Sequence, residues 1–365
     1  ENVDVEDVIQ EEKVIVTVTN KGYIKRTPLT SIRAQKRGGK GKTGIVTREE
    51  DFVSQLFSVS TLTPVLFFSS KGIVYRLKAW KIPEGSNTSK GKALANIFPI
   101  KADAQISSIL PLPYDESTWK DNFLIFVTST GKIRKNSILD FENIQANGKI
   151  AMKLEKDDKI VSVKIVKKND DVMLNTHSGK SLRINASKIR IFKGRSSKGI
   201  KGINLKNNDK VISLTVLNHV ETTSEETKAY IKRTRKDDLE NTDDTNFEIS
   251  TKKYEELKLR EEFILTITEN GYGKRSSSYE FRESGRGGQG IINIISSERN
   301  GNIAASYSVK NDDDIMLITN KGQMIRCAVS DIRITGRNTQ GVRIFKVEKD
   351  EKVVSSVCLT DSVAD

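Results

Sequence analysis

Two cysteines, two histidines and no long apolar run leave few chemistries open to this 365-residue chain. Cys327 and Cys358 cannot build a disulfide framework, and with His177 and His219 they form no set at metal-ligand spacing. A reduced, cytosolic setting fits this cysteine usage. No stretch approaches the ~20 apolar residues of a membrane span, and no charged, apolar, small-residue signal opens the chain, so no membrane is expected as a partner. Aromatic residues make up 6% and fall mostly in strand-like runs, which leaves few stacking platforms for a single-stranded nucleic acid. The chain starts at Glu1 rather than Met, and is expected to be a piece of something longer.

Positive charge is abundant. Lys plus Arg number 61 against 48 Asp plus Glu, a net +13 that argues for a polyanionic partner, nucleic acid or a lipid surface. The length suits two or three ordinary domains or one large closed all-β array. Internal repetition decides between them. A β-branched apolar run ends in a turn glycine with a cation four residues later, six times over. The pairs are Gly22 with Arg26, Gly72 with Arg76, Gly131 with Lys135, Gly179 with Arg183, Gly271 with Arg275, and Gly322 with Arg326. Strand, tight turn, strand is the plain reading of each.

A second turn follows at a nearly fixed distance, with Gly41, Gly91, Gly199, Gly290 and Gly341 lying 19 or 20 residues after their anchors. In the third unit it is degenerate, Asn147-Gly148-Lys149. Four of these turns carry an arginine at one equivalent place: Arg37, Arg195, Arg286 and Arg337. Anchor spacings of 50, 59, 48, 92 and 51 give a period near fifty, the size of a propeller-like blade of four short strands. The expected blades run over about 12–60, 62–110, 121–166, 170–217, 262–309 and 313–359, with an insertion at 218–261. Between Val220 and Glu261 lie 12 acidic and 9 basic residues, a net of −3, so the repeats themselves hold 13 + 3 = +16. Thr227 to Leu239 and Tyr254 to Leu259 are expected to be weakly helical, within a segment that is partly disordered. Pro111 to Trp119 reads as a proline-rich link.

Several stretches imitate chemistry without its context. Gly39-Lys40-Gly41-Lys42-Thr43-Gly44 matches G-x-G-x-x-G, but a dinucleotide or Walker A loop needs a strand before it and a helix after it, and Ile45 to Phe52 has no helical period. His177 has no Cys or carboxylate partner at useful spacing and reads as structural or exposed. Tyr23, Tyr75 and Tyr272 beside turn glycines read as packing. Asp312 to Asp314 lacks the alternating oxygen ligands of a calcium loop and reads as a solvated turn. No catalytic residue, metal or cofactor is expected in this chain.

In a closed array the equivalent turns of successive blades lie on the perimeter, so a cation repeated once per unit becomes a curved track. Duplex DNA following it would gain affinity from counterion release with little base readout. The expected contacts are the loop Gln35, Lys36, Arg37, Gly38, Gly39, Lys40, Gly41 and Lys42, the anchor cations Arg26, Arg76, Lys135, Arg183, Arg275 and Arg326, and Arg195, Lys198, Arg286 and Arg337 of the later turns.

The loop Gln35 to Gly41 resembles the A-box found in the C-terminal domain of the gyrase A chain of bacterial type IIA topoisomerases, the DNA gyrases. Gly22-Tyr23-Ile24-Lys25-Arg26-Thr27-Pro28-Leu29 and Ile32-Arg33-Ala34 resemble that family's first blade, and the six repeats extend the resemblance over nearly the whole chain. Lys36 stands where the family usually has Arg, and the 218–261 insertion lies outside the family pattern. The resemblance implies a six-bladed β-pinwheel that wraps DNA and presents it to a cleavage gate, enabling negative supercoiling at the expense of ATP. It implies as partners double-stranded DNA, the N-terminal cleavage domain of the same chain and the gyrase B subunit in an A2B2 assembly. It places the catalytic tyrosine and the use of ATP and magnesium elsewhere in the parent enzyme, and the protein in the cytoplasm with the nucleoid. The topoisomerase IV subunit, which lacks an intact box and usually has fewer blades, and a propeller for protein interaction are the alternatives.

Overall fold

Alternating β-branched residues followed by a glycine turn fold as read, into one hairpin per unit. The structure, a computed structural model, describes residues 4–29, 46–48, 51–235 and 247–359, with the backbone alone at 46–48. In the first unit Lys13–Thr19 and Tyr23–Pro28 form the hairpin, and Val53–Ser60 pairs with the far side of Lys13–Thr19. The other units repeat this with Pro64–Ser69, Ile73–Lys78 and Ile106–Pro111; Asn122–Thr128, Lys132–Ser137 and Ile160–Lys167; Asp171–Thr176, Lys180–Asn185 and Val211–Leu217; Phe263–Thr268, Tyr272–Ser277 and Ile303–Val309; Asp314–Thr319, Gln323–Ala328 and Val353–Leu359. The result is all-β, six blades arranged as a propeller.

The blades differ from the expected ones in how they are filled. Each unit supplies three strands, and the fourth comes from the second turn of the next unit. Lys92–Ala93 pairs with the first blade, Lys149–Ile150 with the second, Ile200–Lys201 with the third, Ile291–Ile292 with the fourth and Val342–Arg343 with the fifth. Val46–Arg48 of the first unit pairs with Gln323–Ala328 of the sixth and closes the ring. Every boundary in the sequence repeat therefore crosses a blade boundary. The third blade also takes Ile191–Phe192 in a parallel pairing.

The strand closing each unit packs on its counterparts, 106–111 on 160–167, then 211–217, 303–309, 353–359 and back to 53–60. Apolar cores lie between blades, as where Phe68, Phe126 and Phe141 meet with ring centroids 5.4–5.8 Å apart. Between the fourth and fifth blades the apolar contact shrinks to Met173, Leu217, Ile264 and Phe281. Buried polar groups fill that joint: Asn293 donates to Ser181 Oγ at 2.9 Å and accepts from Thr266 at 2.8 Å.

Only some of the turn glycines are crowded as well as left-handed. Gly22 has φ +88° with nothing among the described residues within 4 Å of the place of a Cβ, whereas at Gly271, φ +82°, a Cβ would overlap the carbonyl oxygen of Phe345 in the sixth unit. A left-handed Ala costs about 1–2 kcal/mol, so Gly22→Ala is expected to lose about that much stability and Gly271→Ala more. Denaturant midpoints of the two variants check the ordering.

The insertion is more ordered than composition suggests. Helix α1, Ser224–Thr234, starts at a capping box of Thr223 and Glu226, and α2 covers Thr251–Arg260. Helix α1 matches the expected start near Thr227 but ends at Thr234, and residues 236–239 of the expected helix lie outside the described residues. Tyr230, Leu257 and Val220 bury against Tyr279 of the fifth blade. In the proline-rich link, Trp119 is buried and its indole donates to Pro113 O at 2.8 Å.

At the root of the insertion, His219 Nδ1 meets Asp171 Oδ1 at 3.1 Å and Nε2 meets Glu221 Oε1 at 2.9 Å. Burial disfavours the imidazolium, but the bonds to Glu221 and Asp171 outweigh it and raise the His219 pKa above its usual value. A raised folded pKa stabilises fully below the unfolded pKa, about 6.5, and that stabilisation fades as pH climbs through the folded value. The melting temperature is therefore expected to fall as pH rises above neutrality, and His219→Gln to flatten the dependence.

Candidate nucleic-acid interface

In each blade the order from centre to edge is closing strand, hairpin, borrowed strand. The second turns that are described, which run into the borrowed strands, thus lie at the perimeter, as a DNA track requires. The cations foreseen for that track divide into two groups.

The anchor cations line the walls between blades. Arg183 is 7% exposed, with Nε 2.8 Å from Asp171 Oδ2 and Nη1 donating to Ser278 O at 2.8 Å in the fifth unit. Arg275 donates to Ile332 O at 2.7 Å and Lys135 to Ala186 O at 2.7 Å, each in the following unit, and both are buried. Burial lowers the pKa of both. Arg26 donates to Ile82 O at 2.7 Å and lies 3.9 Å from Glu84, again in the following unit. Arg326, half-exposed, pairs with Asp314 of its own unit at 2.8 Å. Arg76 is half-buried, and its Nε takes no partner among the described residues. The expectation of surface phosphate contacts at Lys135, Arg183 and Arg275 gives way to another role: the hairpin's second strand faces the neighbouring blade, whose short 3-10 turn presents carbonyls with accepting capacity that a buried cation uses.

The second-turn arginines occupy the perimeter. Arg195 Nη1 donates to Ile150 O at 2.6 Å, Arg286 Nη1 to Lys201 O at 3.1 Å and Arg337 Nη1 to Ile292 O at 2.7 Å. Each of these carbonyls belongs to the preceding unit's borrowed strand. One edge of each guanidinium is thus fixed by the protein, while the other edge takes no hydrogen bond among the described residues. A fork held this way loses little freedom on meeting a phosphate. Lys198 is 41% exposed and sits 3.0 Å from Glu155 Oε1, an ion pair that salt or a phosphate can displace. The loop Gln35, Lys36, Arg37, Gly38, Gly39, Lys40, Gly41 and Lys42 lies outside the described residues.

Three further cations, absent from the expected contacts, bear on the same loops. Lys25, Arg134 and Lys274 stand three residues after anchor glycines, one before the anchor cations. Their recurrence in alternate units is the signal that sequence offers for them. The residues read as non-catalytic have plain structural partners: His177 Nε2 lies 2.9 Å from Glu269, and Tyr75 stacks on Phe98. Arg343 Nη2 donates to the Tyr272 hydroxyl at 3.1 Å. No helix among the described residues is long and apolar enough to cross a membrane.

Comparison with known proteins agrees with this architecture. The family described as DNA gyrase C-terminal domain, beta-propeller, matches residues 13–60, 63–113, 122–167, 170–218, 262–305 and 313–359. The DNA gyrase A protein of Rickettsia bellii is 46% identical over 369 residues, covering 99% of this chain and 41% of that protein. Its counterpart from Granulibacter bethesdensis is 44% identical, with the same coverage, and that of Staphylococcus aureus strain COL is 37% identical over 98% of this chain and 35% of its own length. The chain thus spans well under half of these relatives. Among solved structures, a C-terminal domain of DNA topoisomerase IV superposes with TM-score 0.73 at 24% identity, covering 96% of this chain and 94% of that one. A DNA gyrase A C-terminal domain superposes with TM-score 0.64 at 21% identity, covering 96% and 100%. At those identities the likeness is one of fold.

Proposed function

Since the chain belongs to the DNA gyrase A C-terminal domain family, we propose that it binds duplex DNA along its perimeter and bends it, as the wrapping domain that enables ATP-dependent negative supercoiling. The observation that carries this reading is the row of carbonyl-anchored arginines, Arg195, Arg286 and Arg337, on three successive units of the rim. Smooth bending of a 20–30 bp site through 40–90° costs about 1–6 kcal/mol, which several phosphate contacts offset by releasing counterions. The loop Gln35 to Lys42, with the highest density of cations among the second turns, is the strongest proposed contact. Arg26, Arg76 and Arg326 contribute at most at the margins, and Lys135, Arg183 and Arg275 act through the scaffold.

On this reading the partners are double-stranded DNA, the cleavage domain of the same polypeptide, and gyrase B in an A2B2 assembly in the cytoplasm. ATP and magnesium serve parts of that enzyme outside this chain. Two measurements test it. A gel-shift titration at two salt concentrations should show affinity falling steeply with salt, whereas a propeller that only binds protein would not retard DNA. Closing nicked circles around the bound chain should shift the linking number; no shift would mean binding without wrapping.

A further inference from the structure

We infer that Lys25, Arg134 and Lys274 are positioning residues for DNA: each holds the backbone of the next unit's rim turn so that the cation on that turn is presented to a phosphate. The inference rests on the wrapping reading and adds to it a set of residues that do not themselves touch DNA.

Lys274 is 1% exposed, and its ammonium donates to Gly336 O at 2.8 Å, Arg337 O at 2.7 Å and Thr339 Oγ1 at 3.2 Å. Arg134 is fully buried; Nη1 donates to Arg195 O at 3.1 Å and Ser197 O at 2.7 Å, Nη2 to Ala151 O, and Nε to Asn136 at 2.7 Å. In both cases one carbonyl gripped is that of the rim arginine itself. Lys25, half-buried, donates to Ser86 O, Asn87 O and Ser89 O at 2.8–3.1 Å, and the turn it holds carries the exposed Lys90.

The device alternates around the ring. Units one, three and five carry the cation and fix the turns of units two, four and six. The equivalent residues of units two, four and six are Tyr75, Leu182 and Ile325, none of them charged. The Arg286 turn, opposite Leu182, is tied by backbone bonds such as Gly287 N to Gly202 O at 2.6 Å and by Arg286's own bond to Lys201 O, with no cation from the preceding unit gripping it among the described residues. Burying an ammonium against two carbonyls is costly unless every donor is matched, and here each donor is matched within one turn.

The test measures duplex affinity against salt for this chain, its Lys274→Met and Arg337→Ala variants, and the double variant. Removing one phosphate interaction lowers the slope of log K against log salt by about 0.9. Lys274→Met should lower it by about that amount, and should change nothing further once Arg337 is Ala. A full slope in Lys274→Met, or additive losses in the double variant, overturns the inference. If the parent chain shows no salt-dependent DNA binding, the wrapping reading itself fails. A second readout separates positioning from bulk stability. Burial pulls the Lys274 pKa down to about 7, with Glu280 opposing and Arg337 reinforcing the shift; Arg235 also acts on Glu280 and Arg282 on Arg337. The deprotonated amine has one donor fewer, so the deficit of Lys274→Met relative to the parent should shrink between about pH 6 and pH 8. Should Lys274→Met not fold, the half-buried Lys25 gives the same cycle as Lys25→Met with Lys90→Ala. Additive losses there overturn the inference equally.

Discussion

Negative supercoiling is expected to disappear from the assembled enzyme when Arg37 and Lys40 are both replaced by Ala, while relaxation and decatenation persist. Arg37 occupies the place in the repeat held by Arg195, Arg286 and Arg337, and Lys40 the place held by Lys198. At the three arginine positions that are described, the guanidinium crosses to the preceding unit's borrowed strand through Nη1 and makes no other side-chain hydrogen bond among the described residues. No other second turn matches the charge of this one, which adds Lys36 and Lys42. On the proposed reading wrapping gives strand passage its direction, while cleavage and passage belong to parts of the enzyme outside this chain, so the activities should separate. A plasmid supercoiling assay run beside relaxation and decatenation checks it. Equal loss of all three would assign the loop to folding or cleavage.

The second large effect is on stability. Arg183→Met is expected to cost about 3–5 kcal/mol, the range for removing one partner of a buried ion pair. Asp171, with a side chain only 2% exposed, would still meet Asn185 and His219 but lose the guanidinium at 2.8 Å. The carbonyls of Ser278, Phe281 and Asn218 would each lose the guanidinium donor in the same step. The joint between the fourth and fifth blades has little apolar contact to compensate. Arg326→Ala is the comparison: its pair with Asp314 is about one-third exposed, and exposed pairs are worth about 0–1 kcal/mol. Chemical denaturation should show a midpoint shift several times larger for Arg183→Met. Equal shifts would mean that the wall position carries no special weight.

The two predictions concern residues that the sequence alone places in one class, cations recurring once per unit. Anchor and second-turn cations have similar composition and equally regular spacing. They differ in what lies opposite them. Four of the six anchors face the carbonyls of the next blade's 3-10 turn, whereas the second-turn arginines sit beside the sheet edge. Lys25, Arg134 and Lys274 recur visibly in alternate units of the sequence, but their role is not legible there, because it depends on the loop carbonyls that folding brings around them. The borrowed strands are illegible for a different reason: two or three residues are too few to show a period.

By itself the sequence determined the hairpin, the number of its copies and the place of the insertion, because β-branched runs and left-handed glycine turns are local properties of the chain. Tertiary structure alone decided that every repeat lends a strand backward, that the ring closes through 46–48, and that one series of cations is buried while another is presented. Those outcomes depend on which backbone groups of a neighbouring unit are left without partners, and that is settled only when the units are brought together.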